Sequence, residues 1–478
     1  MTTLLWLRDD LRVHDHPALS AALQDNGVVV ALWIREFSPP APKGEARGPR
    51  PLGAASRWWY HQSLVSLSQS LAELGIPLLF AQGDARQILP DLAKRLGART
   101  LRWTRRYAPA ARALDAEVKA GLLAAGLAAH SHPGSLLVEP WTLSTTTGGH
   151  YTVFTAFHRQ ASELYVGTCL PAPDTPPQAA DGAMALPDDL GEGVTRQVDD
   201  LGLLDDHPQW WRDTVAQHWS PGEDEALARL DAIEQWLPGY RTSHDLPADH
   251  DSTSRLSPHL RTGEVSPRQL LEAANRVDVA ATDRQAWLRQ LYWREFCWHL
   301  TFHLDDLSTR PMRSQFEAFP YEPDEEHLRA WQQGRTGYDL VDAGMLQLWQ
   351  TGWMHNRVRM VTASLLTKNL LQPWWLGEQW FWDTLVDADE ANNPVSWQWV
   401  AGCGADAAPY FRVFNPELQR ARFDPDGAYT TRWLRDARPR PLTPVVDLKQ
   451  SRQEALDAYE EVRLRRGSAA GMGDIRDG

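Results

Sequence analysis

Residues 1–34 read MTTLLWLRDDLRVHDHPALSAALQDNGVVVALWI, and this stretch sets the fold class of the first part of the chain. Leu4–Leu7 and Val28–Ile34 are unbroken apolar runs of strand length, and Pro17–Gln24 between them has helical spacing. The alternation continues. Helix-like stretches at Ser56–Leu74, Ala85–Leu96 and Ala108–Ala125 flank apolar runs at Ile76–Phe80 and Thr100–Trp103. Strand–helix–strand order at this spacing implies a parallel, doubly wound sheet with helices on both faces, an α/β domain over 1–140. No GxGxxG or GxxxxGK[ST] follows any of these strands, so the usual phosphate-cradling turn is absent from this domain.

The pattern then changes. From Gly167 to about Asp206, Pro171, Pro173, Pro176, Pro177 and Pro187 break regular structure and Asp188, Asp189, Glu192, Asp199, Asp200, Asp205 and Asp206 add charge, so 141–206 reads as an interdomain linker crossing the surface. Beyond His207 helical periodicity takes over, at Ala226–Trp236, Pro267–Ala274, Arg284–His303, Glu325–Gln333, Gly344–Gln350, Asn356–Leu371 and Gly377–Leu385. The second domain, 207–478, is expected to be all-helical. After Leu434 the chain is rich in Arg, Pro and charge, and this tail is expected to fray.

Composition narrows the function. The 478 residues allow two or three cores. Lys and Arg number 48 against 62 Asp and Glu, and the net charge of −14 disfavours indiscriminate nucleic-acid binding while leaving room for a local basic patch. No apolar run approaches the roughly 20 residues that span a bilayer. The opening is too short and too soon charged for a secretory signal, which points to a cytoplasmic protein without a membrane partner. Cys169, Cys297 and Cys403 lie far apart without a CxxC, so neither a disulfide frame nor a zinc site is indicated. The abnormal feature is 23 tryptophans, which suggests a function that uses aromatic rings.

Four segments concentrate chemistry. In the helix containing 287–296, Trp287, Gln290 and Arg294 share one face with Trp293 at its edge. Two indoles, an amide and a guanidinium suit a flat ligand with a polar rim, although buried tryptophans usually just pack a core. Asn356, Arg359 and Met360 share a second face after a break at Gly352. Asp387 and Asp389 have metal-like spacing, but no histidine or third carboxylate joins them, so no metal is expected and Asp387 reads as the counter-charge of a buried arginine. The run 252–258, Ser-Thr-Ser-Arg-Leu-Ser-Pro, places hydroxyls at a helix start, either an ordinary N-cap or an anion site fit for a pyrophosphate.

In this order the segments resemble the cryptochrome/photolyase family of flavoproteins. The resemblance covers nearly the whole chain, through LWLRDDLRVHDHPAL, SRWWYHQSL, EPW, TSRLSPHL, LYWREF, GRTGYDLVDAGM, TGWMHNRVRM, FWDTLVDADEANN, WQWVAG and APYFRVFNP. The opening, SRWWYHQSLVSLSQSL and FWDTLVDAD are most like plant cryptochromes and bacterial class III photolyases; TGWMHNRVRM and DAAPYFRVFNP are like class I cyclobutane-dimer photolyases.

The resemblance implies FAD in the helical domain, contacted by Tyr240, Thr253, Ser254, Arg255, Leu256, Ser257, Trp287, Arg294, Trp353, Asn356, Arg359, Asp387, Asp389 and Asn393. Arg359 opposite Asp387 would stabilise an anionic reduced flavin. Asn393 matches the position facing flavin N5, where photolyases carry Asn and plant cryptochromes Asp; a neutral amide holds no proton ready for N5. Trp397, Trp374 and Tyr321 match the family's electron relay, with Tyr standing where Trp is usual. Trp293 and Trp399 match the walls of the lesion pocket, and Asn356 and Met360 its edges. Gln290 departs from the Glu usual in cyclobutane-dimer enzymes. The (6-4) enzymes carry Gln there, but they need histidines at the places of Asn356 and Met360.

The function implied is a deoxyribodipyrimidine photo-lyase that repairs UV-damaged DNA as a monomer. Light-excited FADH⁻ would donate an electron to a flipped-out cyclobutane pyrimidine dimer and split it. The N-terminal domain could carry an antenna chromophore, methenyltetrahydrofolate or a deazaflavin, although the Glu common in folate-binding class I enzymes is missing near Ala108. The alternative is a cryptochrome-like blue-light photoreceptor. Gln290 and Tyr321 favour it; Asn393 and the lack of a long C-terminal extension count against it.

Overall fold

A computed structural model of the chain describes residues 2–25, 27–36, 48–164, 166–173, 186–249, 253–407, 411–435 and 442–473, the last nine of these as backbone only. Strands β1 (Thr2–Leu7), β2 (Val28–Glu36), β3 (Leu78–Gly83), β4 (Ala98–Thr104) and β5 (Ala128–His132) form a parallel sheet. Its order is β5-β4-β1-β2-β3, and β6 (Val194–Thr195) pairs antiparallel with β3 at one edge. Alternate residues of one strand feed opposite cores. Leu4 and Trp6 pack with Leu89, Leu92, Leu114 and Val118 on one face, and Leu5 and Leu7 with Leu19, Leu64 and Leu67 on the other.

Two strands escaped the sequence reading. β5 is Ala-Ala-His-Ser-His, a polar edge strand without an apolar run, and β6 is only two residues long. The stretch 141–206, expected to cross the surface as a linker, does more than that. It supplies β6 to the sheet and the helix Phe154–Ala161 to the second domain, where Phe154 has no exposed surface. The proline-rich 174–185 lies outside the described residues.

The order of connections reverses between β1 and β4, the place where open α/β sheets usually bind ligands. Here ion pairs fill much of it: Arg106 reaches both Glu36 and Asp115, and Arg8 reaches Asp115. The loop after β1 docks on the second domain, with Leu11 N–H donating to Thr262 O (3.1 Å) and Arg12 Nη1 to Gly263 O (2.8 Å). Gly263 has a φ of 72°, and a Cβ there would run into the Asp9 carbonyl. Residues that could cradle a phosphate elsewhere are used here to join domains.

The second half is helical, built around Ala281–His303, Asp339–Thr351, Asn356–Ser364, Trp374–Thr384 and Asn392–Ala401. The helix expected over 356–371 changes to a π-turn at Leu365–Asn369. The tail expected to fray instead forms a 26-residue helix, Leu448–Gly473, whose Ala455, Ala458 and Val462 are buried in the main helical core. Its apolar stripe is made mostly of alanines among charges, which hides the period from a sequence reading.

Helices Trp374–Thr384 and Asn392–Ala401 approach closely at Gly377, where an added Cβ would run into the Trp397 ring. Gly377→Ala is expected to cost about 1–3 kcal/mol through overpacking and to shift the environment of Trp397, read by chemical denaturation with tryptophan fluorescence. Acid sensitivity follows from buried imidazoles. Burial holds His132 and His355 down at about 4 and His299 at about 3. The unfolded chain takes up these protons around the ordinary histidine value and the folded chain does not, so their stabilisation is complete above that value and declines as pH falls. Glu295, pushed up to about 7 by burial, acts in the opposite sense across the same interval. His158, His207 and His303 are held down as well, while Glu139, Glu378, Glu390 and His14 are raised; the imidazoles, depressed furthest, set the sign. Melting temperature should fall on acidification from about pH 7 to 5, and more steeply in Glu295→Gln; a flat profile in calorimetry would contradict this.

Candidate functional site

The helical domain encloses a cavity of about 510 Å³ that reaches the surface. Helix Ala281–His303 points Trp287, Gln290, Trp293 and Arg294 into it, because spacings of three and four keep them on one face. Asn356, Arg359 and Met360 enter from a second helix; Asn393, Trp397 and Trp399 from a third; Asp387 and Asp389 from the loop before it; Ser254, Ser257 and Tyr240 from the opposite side.

The interior carries charge. Arg359 donates through Nη2 to Asp387 Oδ2 (2.8 Å) and through Nε to Met354 O (2.7 Å). Ser257 Oγ donates to the same Asp387 oxygen (2.7 Å), and the tryptophan Trp353 lies beside them with its indole N–H 3.4 Å from Ser257 Oγ. Asp387 Oδ1 is buried with no partner. Such an acceptor fits a ligand N–H, and the imide N–H of a flavin is a donor of that kind. Asp389 accepts from Ala391 N–H and Asn392 Nδ2 (2.8 and 2.7 Å) and so also opens the helix Asn392–Ala401. Among the described residues no cluster of three or more His, Cys, Asp or Glu side chains is placed to hold a metal.

The mouth is aromatic and polar. Trp293 lies flat on Phe154, rings 3.6 Å apart at 7°, so the segment expected to be a bland linker props one wall. Trp399 is half-buried, and Gln290 and Asn356 are exposed at the rim.

Six of the residues singled out from the sequence do not line the cavity. Leu256 is 1% exposed and packs into the core, although its N–H meets Ser254 Oγ at 3.4 Å. Arg255 lies over Trp219 and Trp353. Thr253 and Trp353 line a separate small pocket with His355 and Arg432. Trp374 is fully buried, and Tyr321 is half-buried; the ring contacts run from Trp374 to Trp375 (5.9 Å) and from Trp375 to Tyr321 (5.2 Å). Burial raises the Tyr321 phenol's pKa. Ser252 lies outside the described residues.

Sequence reasoning missed two residues behind Asn393. Asn393 Nδ2 donates to Glu378 Oε1 (2.8 Å) and Glu378 O (3.0 Å), and Arg50 grips the two Glu378 carboxylate oxygens at 2.6 and 3.0 Å. Glu378 sits mid-helix between Gly377 and the aromatic run Trp380–Trp382, an odd place for an unpaired charge, and that was the available signal. Its partner lies 328 positions away in a Pro/Gly-rich stretch and leaves no local trace.

Comparisons with known proteins show the family. Residues 3–178 match the DNA photolyase family profile, and residues 287–443 match the FAD binding domain of DNA photolyase. A deoxyribodipyrimidine photo-lyase of Agrobacterium fabrum is 42% identical, over 96% of this chain and 98% of that protein. The crystal structure of a bacterial class III photolyase from Agrobacterium tumefaciens superposes with a TM-score of 0.87 at 40% identity, covering 97% of this chain and 98% of that one. Cryptochrome-1 of Arabidopsis thaliana is 35% identical over 90% of this chain and 62% of its own length. No described helix is long and apolar enough to cross a membrane. With an α/β domain joined to a helical cavity of this chemistry, and similarity running the length of the chain, the protein belongs to the DNA photolyase/cryptochrome family and carries its FAD-binding domain.

Proposed function

We propose that the protein is a deoxyribodipyrimidine photo-lyase, acting in the cytoplasm as a monomer on cyclobutane pyrimidine dimers in UV-damaged DNA. Bound FAD, reduced and excited by blue light, supplies the electron that opens the cyclobutane ring. What supports the reading most is the mouth of the cavity. It has aromatic walls, Trp293 and Trp399, and a polar rim, Gln290 and Asn356, over an interior that carries the Arg359–Asp387 pair. A dimer inside a duplex cannot reach a buried cofactor, so it must be flipped out, as in the photolyases that the base-flipping principle itself names. Trp293 and Trp399 then stack on the lesion while Asn356 and Met360 meet its edges. Gln290 donates hydrogen bonds where a Glu is usual.

Arg412, Arg420 and Arg422 give the surrounding surface its positive charge for phosphates. Arg357 is committed to Asp245 at 2.6 Å and contributes less. In this reading Trp397, Trp374 and Tyr321 carry electrons between the cavity and the surface, with Trp375 touching the second and third of them. An antenna chromophore, a folate or a deazaflavin, belongs to the N-terminal domain. Photoreception is the second reading, favoured by Gln290 at the rim and by the cryptochrome similarity.

Illuminating the reduced protein with an oligonucleotide bearing one defined dimer should remove the lesion in blue light and not in the dark; FAD-loaded protein that leaves it intact moves the assignment to photoreception. Trp399→Ala should weaken lesion binding by about 1–3 kcal/mol, the worth of one stacked base, with FAD content unchanged. Titration of a fluorescent dimer-bearing strand measures it.

A further inference from the structure

Arg50 stands just ahead of the helix Ala54–Glu73, in the N-terminal part of the chain, yet its guanidinium lies over the Trp382 ring at 4.0 Å and closes on Glu378 of the second domain. The Glu378 side chain has no exposed surface. A buried carboxylate persists in its charged form only when paired and hydrogen-bonded. Burial raises the pKa of Glu378, while Arg50 first and Asn393 second pull it back. With both its oxygens acting as acceptors, the carboxylate and the Glu378 carbonyl take the two N–H groups of Asn393. Asn393 Oδ1 is then the amide atom left for the cavity, which Asn393 lines.

We propose that Arg50 is a positioning residue: across the domain boundary it keeps Glu378 an acceptor, and thereby fixes the Asn393 amide with its carbonyl oxygen toward the cavity's occupant. The proposal rests on FAD filling that cavity. A flavin whose N5 carries a hydrogen, as in the reduced form, meets an acceptor; an oxidised flavin, whose N5 is itself an acceptor, does not. The arrangement favours the reduced cofactor that repair requires. Without Arg50, Glu378 takes a proton, its O–H becomes a donor, and only the Glu378 backbone carbonyl still requires an N–H of Asn393, so the amide is held less firmly.

Few other charges face Glu378. On its own helix Asp383 accepts Ala54 N–H (2.9 Å). From the loop after that helix, half-buried Glu390 is hydrogen-bonded to the Arg50 backbone and faces Arg261. From the helix Asn392–Ala401 comes only the uncharged Asn393.

The test uses the FAD-loaded protein and follows dark reoxidation of the photoreduced flavin in air by its visible absorbance. Wild type should show only the shallow dependence between about pH 6 and 9 that Glu295 brings through Arg294. Arg50→Gln should reoxidise roughly threefold faster at the acid end, the worth of one hydrogen bond, and return toward wild type as pH rises and Glu378 loses its proton. Glu378→Gln, an isosteric change, should be fast at every pH. The double variant should match Glu378→Gln alone, and Arg50→Lys should restore most of the wild-type profile. A profile of Arg50→Gln that coincides with wild type, or effects that simply add in the double variant, overturns the proposal. If Arg50→Gln does not hold FAD, Glu378→Gln decides alone, and a wild-type rate in it overturns the proposal equally. Failure of the photo-lyase reading shows instead in unmutated protein, as intact lesions or absent FAD.

Discussion

One buried carboxylate holds the two domains in register. Glu264 has no exposed surface and collects the Trp59 indole N–H (3.1 Å), the Ser63 hydroxyl, the Gly222 N–H (3.0 Å) and the His259 ring. An isolated charge at that depth would cost several kcal/mol; four surrounding partners offset it. They tie the helix Ala54–Glu73 to the end of Ser257–Thr262. Ser257 opens that short helix and reaches Asp387 in the cavity, so the position of one cavity wall depends on a contact made by the N-terminal domain.

The same logic recurs at Glu378 and Glu295. Each is a buried acid that gathers donors from distant parts of the chain: Arg50 and Asn393 for the first, Arg294 and the Leu137 and Val138 N–H groups for the second. All three sit around the cavity rather than in it. They leave the interior to the Arg359–Asp387 pair and to flat rings, and such a lining suits a large polar-edged cofactor better than a small anion.

Much of this was legible in the chain. Unbroken apolar runs marked Leu4–Leu7 and Val28–Ile34 as strands, whose alternate residues fill the cores on both faces of the sheet, and period-3.6 spacing gathered Trp287, Gln290 and Arg294. Those signals survive because they depend on neighbours a few positions away. The errors lie where local pattern says little. Polar β5 forms because β4 offers it an edge, and the tail helix forms because alanines at 455 and 458 meet a core already built. Thr253, Arg255 and Leu256 adjoin Ser254 and Ser257 in sequence, yet they turn away from the cavity at a residue with a φ of 53°.

The sequence alone determined the alternation of strands and helices, the switch to a helical second half, and the residue types of a pocket for a flat, polar-edged ligand. Each is set by side-chain period and chemistry, which need no knowledge of distant contacts. Tertiary structure alone decided that Phe154 backs Trp293, that Asp387 keeps one oxygen without a partner, and that Arg50 reaches Glu378 behind Asn393. These pairings join residues separated by up to 328 positions, and only the packing of one domain on the other brings such groups within hydrogen-bond reach.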